Sequence, residues 1–249
     1  QRQMCIETGG AVYLNGTDDA SVVNCHFARN YSNSSYSQGL GGGLFAQNAK
    51  VEGCLFEDCV GEDGGGAAYI IGGQTTNCEA YHSYASAGGG FYVVGVLNAA
   101  EQVLAQAQMS DVTVADCQGL NGGGIYVDLG ATLTHAKVYS CKADATEFGD
   151  QLGGHGGGIF VQGGSVFGCV AYNNMAYLGA GLCIRAGKVA NCTLQHNADR
   201  NADPAVSNLA EWPDTGMLKN VFNTIGNPDA EMSNFVAPSA FTGLAEDSG

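Results

Sequence analysis

An all-β solenoid, in which short parallel strands wind into stacked coils, is the fold that this sequence predicts, and three observations support it. Glycine-rich triplets recur along most of the chain. A cysteine follows each triplet within the repeating unit. The residues directly after the triplet alternate between aliphatic or aromatic side chains expected to face inward and mostly aromatic side chains expected to face outward. A unit of 20 to 50 residues that repeats in this way is the signature of a solenoid.

The glycine-rich corners set the period of the repeat. Units open at Gly9, Gly41, Gly64, Gly88, Gly122, Gly156 and Gly179, which gives separations of 32, 23, 24, 34, 34 and 23 residues. The basic period is therefore about 23 to 24 residues with insertions of about 10. Glycine supplies 39 of 249 residues, but 45% of the chain is apolar, which is not the composition of a disordered tract.

A cysteine column forms the second landmark of the unit. Its members are Cys25, Cys54, Cys78, Cys117, Cys141, Cys169 and Cys192. The residues that directly precede them are Asn24, Gly53, Asn77, Asp116, Ser140, Gly168 and Asn191, all of types that tolerate left-handed or turn conformations. We therefore expect a bend before each cysteine and one continuous interior ladder of thiols.

The strand that follows each glycine triplet supplies an inward and an outward column. Period-two alternation places Val12, Leu14, Leu44, Ala46, Phe91, Val93, Ile125, Val127, Ile159, Val161, Leu182 and Ile184 inside. The side chains between them face out: Tyr13, Phe45, Tyr92, Tyr126, Phe160 and Cys183. Short β-branched and aromatic runs between Gly-rich turns, at this period, describe a parallel β-helix.

Two insertions interrupt the period, and the end of the chain loses it. The first, Val94–Ser110, is rich in helix formers and is expected to hold a helical turn or two. The second lies between Cys141 and His155 and contains Asp144, Glu147 and Asp150. We assign residues 1–200 to the coils and 201–249 to a degenerate last coil and an irregular C-terminal cap of the same domain, because all four prolines lie in the latter.

Two motifs carry a family resemblance. Gly9-Gly10-Ala11-Val12 and Phe27-Ala28-Arg29-Asn30 resemble the Gly-Gly-Ala-Ile and Phe-x-x-Asn motifs of bacterial polymorphic outer-membrane protein repeats, which are adhesin-type coils of the pectin-lyase-like superfamily. The resemblance covers residues 9 to about 200 and implies a right-handed parallel β-helix of about seven to eight coils. Proteins of this architecture serve as adhesin shafts, autotransporter passengers and polysaccharide-cleaving enzymes, so the fold alone does not decide the function.

The charge balance excludes some partners. Twenty-four acidic against nine basic side chains give a formal net charge of −15, which repels nucleic acid and anionic membranes. The first 16 residues lack the apolar run of a secretory signal, and no stretch approaches a transmembrane helix. We therefore expect no nucleic-acid partner and no direct membrane insertion.

His155 and Arg185 are the weak catalytic candidates. Gly154-His155-Gly156 resembles the Gly-His-Gly of polygalacturonase-type β-helix enzymes, and Arg185 lies in a loose echo of their Arg-Ile-Lys segment. Glycoside hydrolysis also needs two carboxylates about 5 to 9.5 Å apart, and no Asp-Asp pair lies within two coils upstream. A chance Gly-His-Gly in a glycine-rich chain is the favoured interpretation, so no catalytic residue is assigned.

The remaining chemistry-bearing residues favour structural interpretations. The favoured interpretation is that the cysteines are small, buried apolar side chains. Occasional disulfide pairing, such as Cys54 with Cys59, is the alternative. Acidic residues such as Glu57, Asp58, Glu62 and Asp63 could bind Ca²⁺, but solvated surface charge is the favoured interpretation of these residues. Neither a metal site nor another cofactor is predicted.

The predicted function is that of a non-catalytic module outside the cell. Loops and the outward column Tyr13, Phe45, Tyr92, Tyr126 and Phe160 would contact glycan or protein at a cell surface, although cross-strand stabilisation explains that column equally simply. Two alternatives stay open: a polysaccharide lyase or glycoside hydrolase, and an accessory subunit of a larger surface assembly in which another chain, or other parts of a longer polypeptide, covers the aromatics.

Overall fold

The computed structural model describes residues 10–16, 20–33, 38–144, 154–199, 209–211, 216–219 and 222–224. Within these ranges the chain forms four parallel sheets, which we name A to D in the order in which each coil visits them. Every strand in these sheets pairs with the equivalent strand of the neighbouring coil; for example, Val12 pairs with Leu44. This topology is the predicted parallel β-helix.

Each of the first seven coils contributes one strand to each of the four sheets. Sheet A consists of β1 (Val12–Asn15), β5 (Leu44–Gln47), β9 (Ala68–Ile71), β13 (Phe91–Val94), β19 (Ile125–Val127), β23 (Ile159–Val161), β27 (Leu182–Ile184) and β31 (Leu209–Glu211). Sheet B consists of β2 (Ser21–Val23), β6 (Lys50–Glu52), β10 (Gly73–Thr76), β16 (Ala107–Ser110), β20 (Ala131–Thr134), β24 (Ser165–Phe167), β28 (Gly187–Ala190) and β32 (Gly216–Lys219). Sheet C consists of β3 (His26–Ala28), β7 (Leu55–Glu57), β11 (Glu79–Tyr81), β17 (Thr113–Ala115), β21 (Lys137–Tyr139), β25 (Val170–Tyr172), β29 (Thr193–Gln195) and β33 (Phe222–Thr224). Sheet D consists of β4 (Tyr31–Ser32), β8 (Val60–Gly64), β12 (Tyr84–Ala87), β18 (Gln118–Gly119), β22 (Lys142–Ala143), β26 (Met175–Ala176) and β30 (Ala198–Asp199).

Among the described residues, seven coils contribute a strand to all four sheets, and an eighth contributes strands to three. The eighth coil consists of β31, β32 and β33, which pair in parallel with β27, β28 and β29. The described residues 209–211, 216–219 and 222–224 therefore form part of a further coil. The predicted cap beyond Thr224 lies outside the described residues.

Left-handed residues turn the chain at the corner between sheets B and C. The residues there have φ values between 52° and 63°: Asn24, Gly53, Asn77, Asp111, His135, Gly168 and Asn191. A second left-handed set, with φ between 49° and 56°, turns the chain between sheets C and D: Arg29, Asp58, His82, Asp116, Ser140, Asn173 and His196. All seven bends predicted before the cysteines are present, but they belong to two corners.

The prediction of one cysteine column is therefore wrong. Cys25, Cys54, Cys78, Cys169 and Cys192 lie at the corner between sheets B and C, where Val112 and Ala136 occupy the intervening coils. Cys59, Cys117 and Cys141 lie at the corner between sheets C and D, in a column with Asn30, Ser83, Asn174 and Asn197. At both corners, the strand is followed by one left-handed residue and then by one small inward residue. Local spacing therefore does not distinguish the two corners.

The thiols occupy the same geometry at both corners. The Sγ atom donates to the carbonyl two residues earlier, at 3.4 Å from Cys54 to Glu52 and at 3.3 Å from Cys117 to Ala115. Ser83 makes the equivalent bond to Tyr81 at 3.1 Å, which explains why serine replaces cysteine there. The described cysteines are free thiols, and all except Cys25 are buried. The pairing of Cys54 with Cys59 is not present, because these residues lie at opposite ends of β7.

The main core is a hydrophobic column inside the coils. The predicted inward residues from Leu44 to Ile184 on sheet A are at most 1% exposed, whereas Val12 and Leu14 are only partly buried because β1 is the end strand of sheet A. Phe27 and Phe56 stack in this core with ring centroids 4.8 Å apart. The Phe-x-x-Asn motif thus places its aromatic ring in the core at Phe27 and its asparagine at a corner.

The first insertion is a β-hairpin, so the helical expectation for Val94–Ser110 is wrong. Strand β14 (Val96–Leu97) pairs antiparallel with β15 (Val103–Ala105). The Oδ1 atom of Asn98 accepts from the backbone N–H groups of Ala100 and Gln102, each at 2.9 Å. This side-chain cap closes a turn, and it outweighs the helix propensity of the surrounding residues.

Candidate binding face on sheet A

The outward aromatic column lies on sheet A, as predicted, and it contains one more ring than the sequence pattern identified. Tyr69 occupies the position between Phe45 and Tyr92 in the strand register. Successive ring centroids from Tyr13 to Phe160 are 4.8, 5.7, 4.4, 4.6 and 5.1 Å apart. The rings therefore form one continuous stack across six coils.

The stacking decides what this column offers to a ligand. The first four ring pairs have interplanar angles between 2° and 11°, so the faces of the inner rings contact neighbouring rings. Phe45 and Phe160 are only 6% and 4% exposed, and Cys183 at the top of the column is fully buried. A sugar that stacks on an aromatic face has no access to the inner rings, and a partner on this face contacts ring edges and phenol groups.

The phenol groups belong to a part-buried electrostatic network. The hydroxyl of Tyr92 donates to the carboxylate of Asp128, which follows β19 in the next coil. Burial raises the pKa of Tyr69 to about 12. Burial also raises the pKa values of Tyr92 and Tyr126 well above their ordinary range, with Asp128 adding to both shifts and Arg185 opposing the shift of Tyr126. These phenols remain protonated donors at neutral pH.

His155 and Arg185 border this face on opposite sides. His155 lies at the corner between sheets D and A, where its Nδ1 atom is 3.0 Å from Oδ1 of Asn121 and its ring is 6.5 Å from that of Phe160. Arg185 directly follows β27 at the corner between sheets A and B, and its Nη1 atom is 3.5 Å from Oε1 of Gln162. The aromatic column thus separates the two catalytic candidates of the sequence.

The second insertion leaves and rejoins the coil beside His155. The backbone N–H of Asp144 donates to Gly119, and that of His155 donates to the next residue, Leu120. The buried carboxylate of Asp144 pairs with Nζ of Lys142 at 2.6 Å. Glu147 and Asp150 of this insertion lie outside the described residues. The base of the insertion therefore brings an ion pair with a buried carboxylate close to the backbone of His155.

The hairpin borders the face on the side of sheet B and exposes apolar side chains. Val103 is 39% exposed and Leu104 is 65% exposed. Gly130 of the next coil lies against Val103, because a Cβ atom at that glycine would be 2.9 Å from the Val103 side chain. One side of the hairpin thus rests on the shaft while its tip faces solvent.

The acidic residues considered for Ca²⁺ make separate contacts in coil 2. Glu57 lies 2.7 Å from Nε2 of His26, Asp58 lies 4.0 Å from Arg29, and Glu62 accepts from the hydroxyl of Tyr31. Asp63 accepts from a backbone N–H at 2.8 Å. In the described ranges, no group of three or more His, Cys, Asp or Glu side chains is arranged to hold a metal ion.

The sequence pattern missed residues whose surroundings only the register reveals. Tyr69 follows a run of glycine and alanine, Gly64 to Ala68, that hides the alternation of its strand. Asp128 and Asn121 carry no motif of their own, and they join the site because the parallel register places them beside Tyr92 and His155. Strand alternation was the signal that could have found Tyr69.

Comparison with known proteins identifies the architecture. A family model described as a right handed beta helix region matches residues 9–199. No curated protein and no solved structure matches the chain significantly. Across the described residues, no helix has the length and apolar character needed to cross a membrane.

Proposed function

This chain belongs to the right-handed β-helix family, and we propose that it is a non-catalytic structural and adhesive module on the outside of the cell. A solenoid of this kind is a stiff shaft, because each coil is stabilised by its neighbours and can carry loops without rearrangement of the core. The partner is glycan or protein at a cell surface.

Exposed apolar side chains on the second strand of the hairpin, β15, are the observation that carries the proposal. Contiguous exposed apolar side chains mark interaction sites, and the adjacent residues Val103 and Leu104 are 39% and 65% exposed. The hairpin connects β13 of sheet A to β16 of sheet B, so a partner can contact the hairpin and sheet A together. The rigid shaft behind them reduces the entropy lost on binding.

A surface-binding assay tests this proposal. The intact protein is applied to arrays of glycans and of extracellular-matrix proteins, and Leu104→Ser is compared with Val170→Ser, a control at the 36% exposed apolar position on sheet C. We expect Leu104→Ser to lose at least tenfold in binding and the control to retain it. Equal binding by both variants would refute a role of the hairpin.

A catalytic function is the alternative, and the base of the second insertion is the observation that favours it. The ion pair of Lys142 with the buried carboxylate of Asp144 lies near the backbone of His155, and Arg185 borders sheet A. A depolymerisation screen with neutral and acidic polysaccharides separates the two functions. Cleavage that disappears in His155→Ala or Arg185→Ala would overturn the non-catalytic proposal, whereas an intact polymer in every reaction supports it.

An accessory role in a larger assembly makes a different prediction for the aromatic face. A covering chain would bury the half-exposed rings Tyr69, Tyr92 and Tyr126. Purification of the protein from its native surface under mild cross-linking would then recover a second polypeptide joined to sheet A. Recovery of the chain alone would oppose this role.

A further inference from the structure

We propose that the outer face of sheet B carries a separate binding site for a neutral oligosaccharide. The site is a depression of about 260 Å³ that crosses coils 3, 4 and 5. Its lining consists of Gln74, Thr76, Gln108, Met109, Ser110, Thr132 and Thr134. The inference rests on the proposed adhesive function, because it names the ligand class of such a module and the face that binds it.

The strand register arranges the lining in two straight rows. Gln74, Gln108 and Thr132 are direct ladder partners, and so are Thr76, Ser110 and Thr134. Parallel strands are about 4.8 Å apart, so each row repeats a hydrogen-bonding group at that spacing along the axis. Two such rows fit an elongated chain that lies parallel to the axis of the helix. The volume is close to the lower limit of about 300 Å³ for small-molecule sites, enough for one or two sugar rings.

The chemistry of the rows selects the ligand class. Hydroxyl and amide groups both donate and accept hydrogen bonds, as the hydroxyls of a sugar do. The six polar side chains carry no charge, although the protein carries a formal net charge of −15. An anionic ligand would need cations, and an apolar ligand would leave these groups without hydrogen bonds, at a cost. A neutral polyhydroxylated chain satisfies both conditions.

The two ends of the rows differ, and one end supplies an aromatic ring. Towards coil 2, the ladder continues into the ion pair of Lys50 with Glu52, whose atoms are 2.6 Å apart. Towards coil 6, Thr134 is followed by Phe167, which is half-buried. The ladder partner beyond Phe167 is Ala190, so neither neighbour in its row is aromatic. This ring differs from the inner rings of sheet A, which stack face to face, and it can stack on the apolar face of a sugar.

The test is a titration of the intact protein with four neutral hexasaccharides, of glucose in α- or β-linkage, mannose and galactose, and with a hexamer of galacturonic acid. Side-chain amide resonances of Gln74 and Gln108 report binding on sheet B. The variants are Gln108→Ala and Phe167→Ala, with Gln195→Ala on sheet C as the matched control. Thermal unfolding of each variant verifies that the coils remain folded.

We expect at least one neutral hexasaccharide to shift both amide resonances, the two sheet B variants to weaken binding at least tenfold, and the control to bind normally. No shift with any neutral sugar, binding of the acidic hexamer alone, or unchanged binding in both sheet B variants would overturn the inference. If the arrays show hairpin-dependent binding while sheet B binds no neutral sugar, the adhesive function stands without this site. Sugar binding at sheet B without hairpin-dependent binding contradicts the hairpin proposal alone.

Discussion

Removal of the buried amide at Asn174 should destabilise the coils more than any exposed substitution. Asn174 is 1% exposed, and its Oδ1 atom accepts from the backbone N–H of Cys141 at 2.9 Å. Its Nδ2 atom donates to the carbonyl of Val138 at 3.1 Å and to Oδ1 of Asn197 at 3.0 Å. In Asn174→Ala, the N–H of Cys141 stays buried without an acceptor, which costs about 1–3 kcal/mol. With the two other lost bonds, we expect a loss of about 2–4 kcal/mol in the free energy of unfolding.

The column of residues at the corner between sheets C and D suggests a variant with an intermediate effect. Ser83 occupies the equivalent position three coils earlier, and its hydroxyl lies 3.3 Å from the backbone N of Cys59, which donates to it. Asn174→Ser should therefore restore the acceptor for Cys141 and recover about half of the loss, whereas Gln108→Ala on the surface should change the free energy of unfolding by about 0.5 kcal/mol at most.

Urea unfolding followed by far-ultraviolet circular dichroism measures these changes, and hydrogen exchange at the Cys141 amide localises them. The reasoning fails if Asn174→Ala matches the surface variant. It also fails if the serine variant is no more stable than the alanine variant, since the orphaned N–H would then not be the cause.

Three further predictions concern pH, backbone strain and thiol access. Burial raises the pKa of Tyr69 in the folded protein from 10.0 to about 12. The contribution of protonated Tyr69 to the free energy of unfolding is therefore complete below pH 10 and is lost as the pH rises towards 12. The free energy of unfolding should decline less over this range in Tyr69→Phe, and parallel pH curves for the variant and the unmodified protein would contradict the assignment. Asp116 has φ of 54°, so Asp116→Ala should be less stable than Asp116→Gly by about 1–2 kcal/mol in thermal unfolding, and a more stable alanine variant would exclude left-handed strain there. Iodoacetamide should label exposed Cys25 in the native protein but spare buried Cys169 and Cys192 until unfolding, as peptide mapping will show; equally fast labelling of Cys192 would mean that the corner opens.

The repeat was readable from the sequence because each strand obeys the same alternation. Ile159 and Val161 are fully buried, as the pattern after Gly156 predicts, and the bend at Gly168 is left-handed. These features depend on residue type and local spacing alone.

The corner at which each cysteine lies could not be predicted from the sequence. Cys117 and Cys141 follow a valine and a turn-forming residue just as Cys54 does, yet they lie one corner further along the coil. Two consecutive five-residue segments of a coil have the same pattern, and only pairing with the neighbouring coil distinguishes them. A register is a long-range property, and spacing within one repeat does not encode it.

The chemistry of the outer faces was also hidden. An outward position for Tyr92 follows from alternation, but the covering of its ring by Tyr69 and Tyr126 depends on rotamers and on the register of three coils. The hairpin has the composition of a helix, and the cap formed by Asn98 decides against it. The neutral rows of sheet B become visible only when coils 3, 4 and 5 are aligned.

Because each strand of sheets A to D pairs only with strands of neighbouring coils, deletion or duplication in the gene can change the length of this fold by one whole coil at a time. Gly65 and Gly88 occupy the same left-handed corner of successive coils. An in-frame loss of residues 66–88, which is 23 codons, would join Gly65 directly to Gly89 and bring coil 2 against coil 4 with every sheet continuous. Duplication of the same segment would extend the shaft by about 4.8 Å. Unequal recombination within such a gene thus yields longer or shorter shafts whose corners still match.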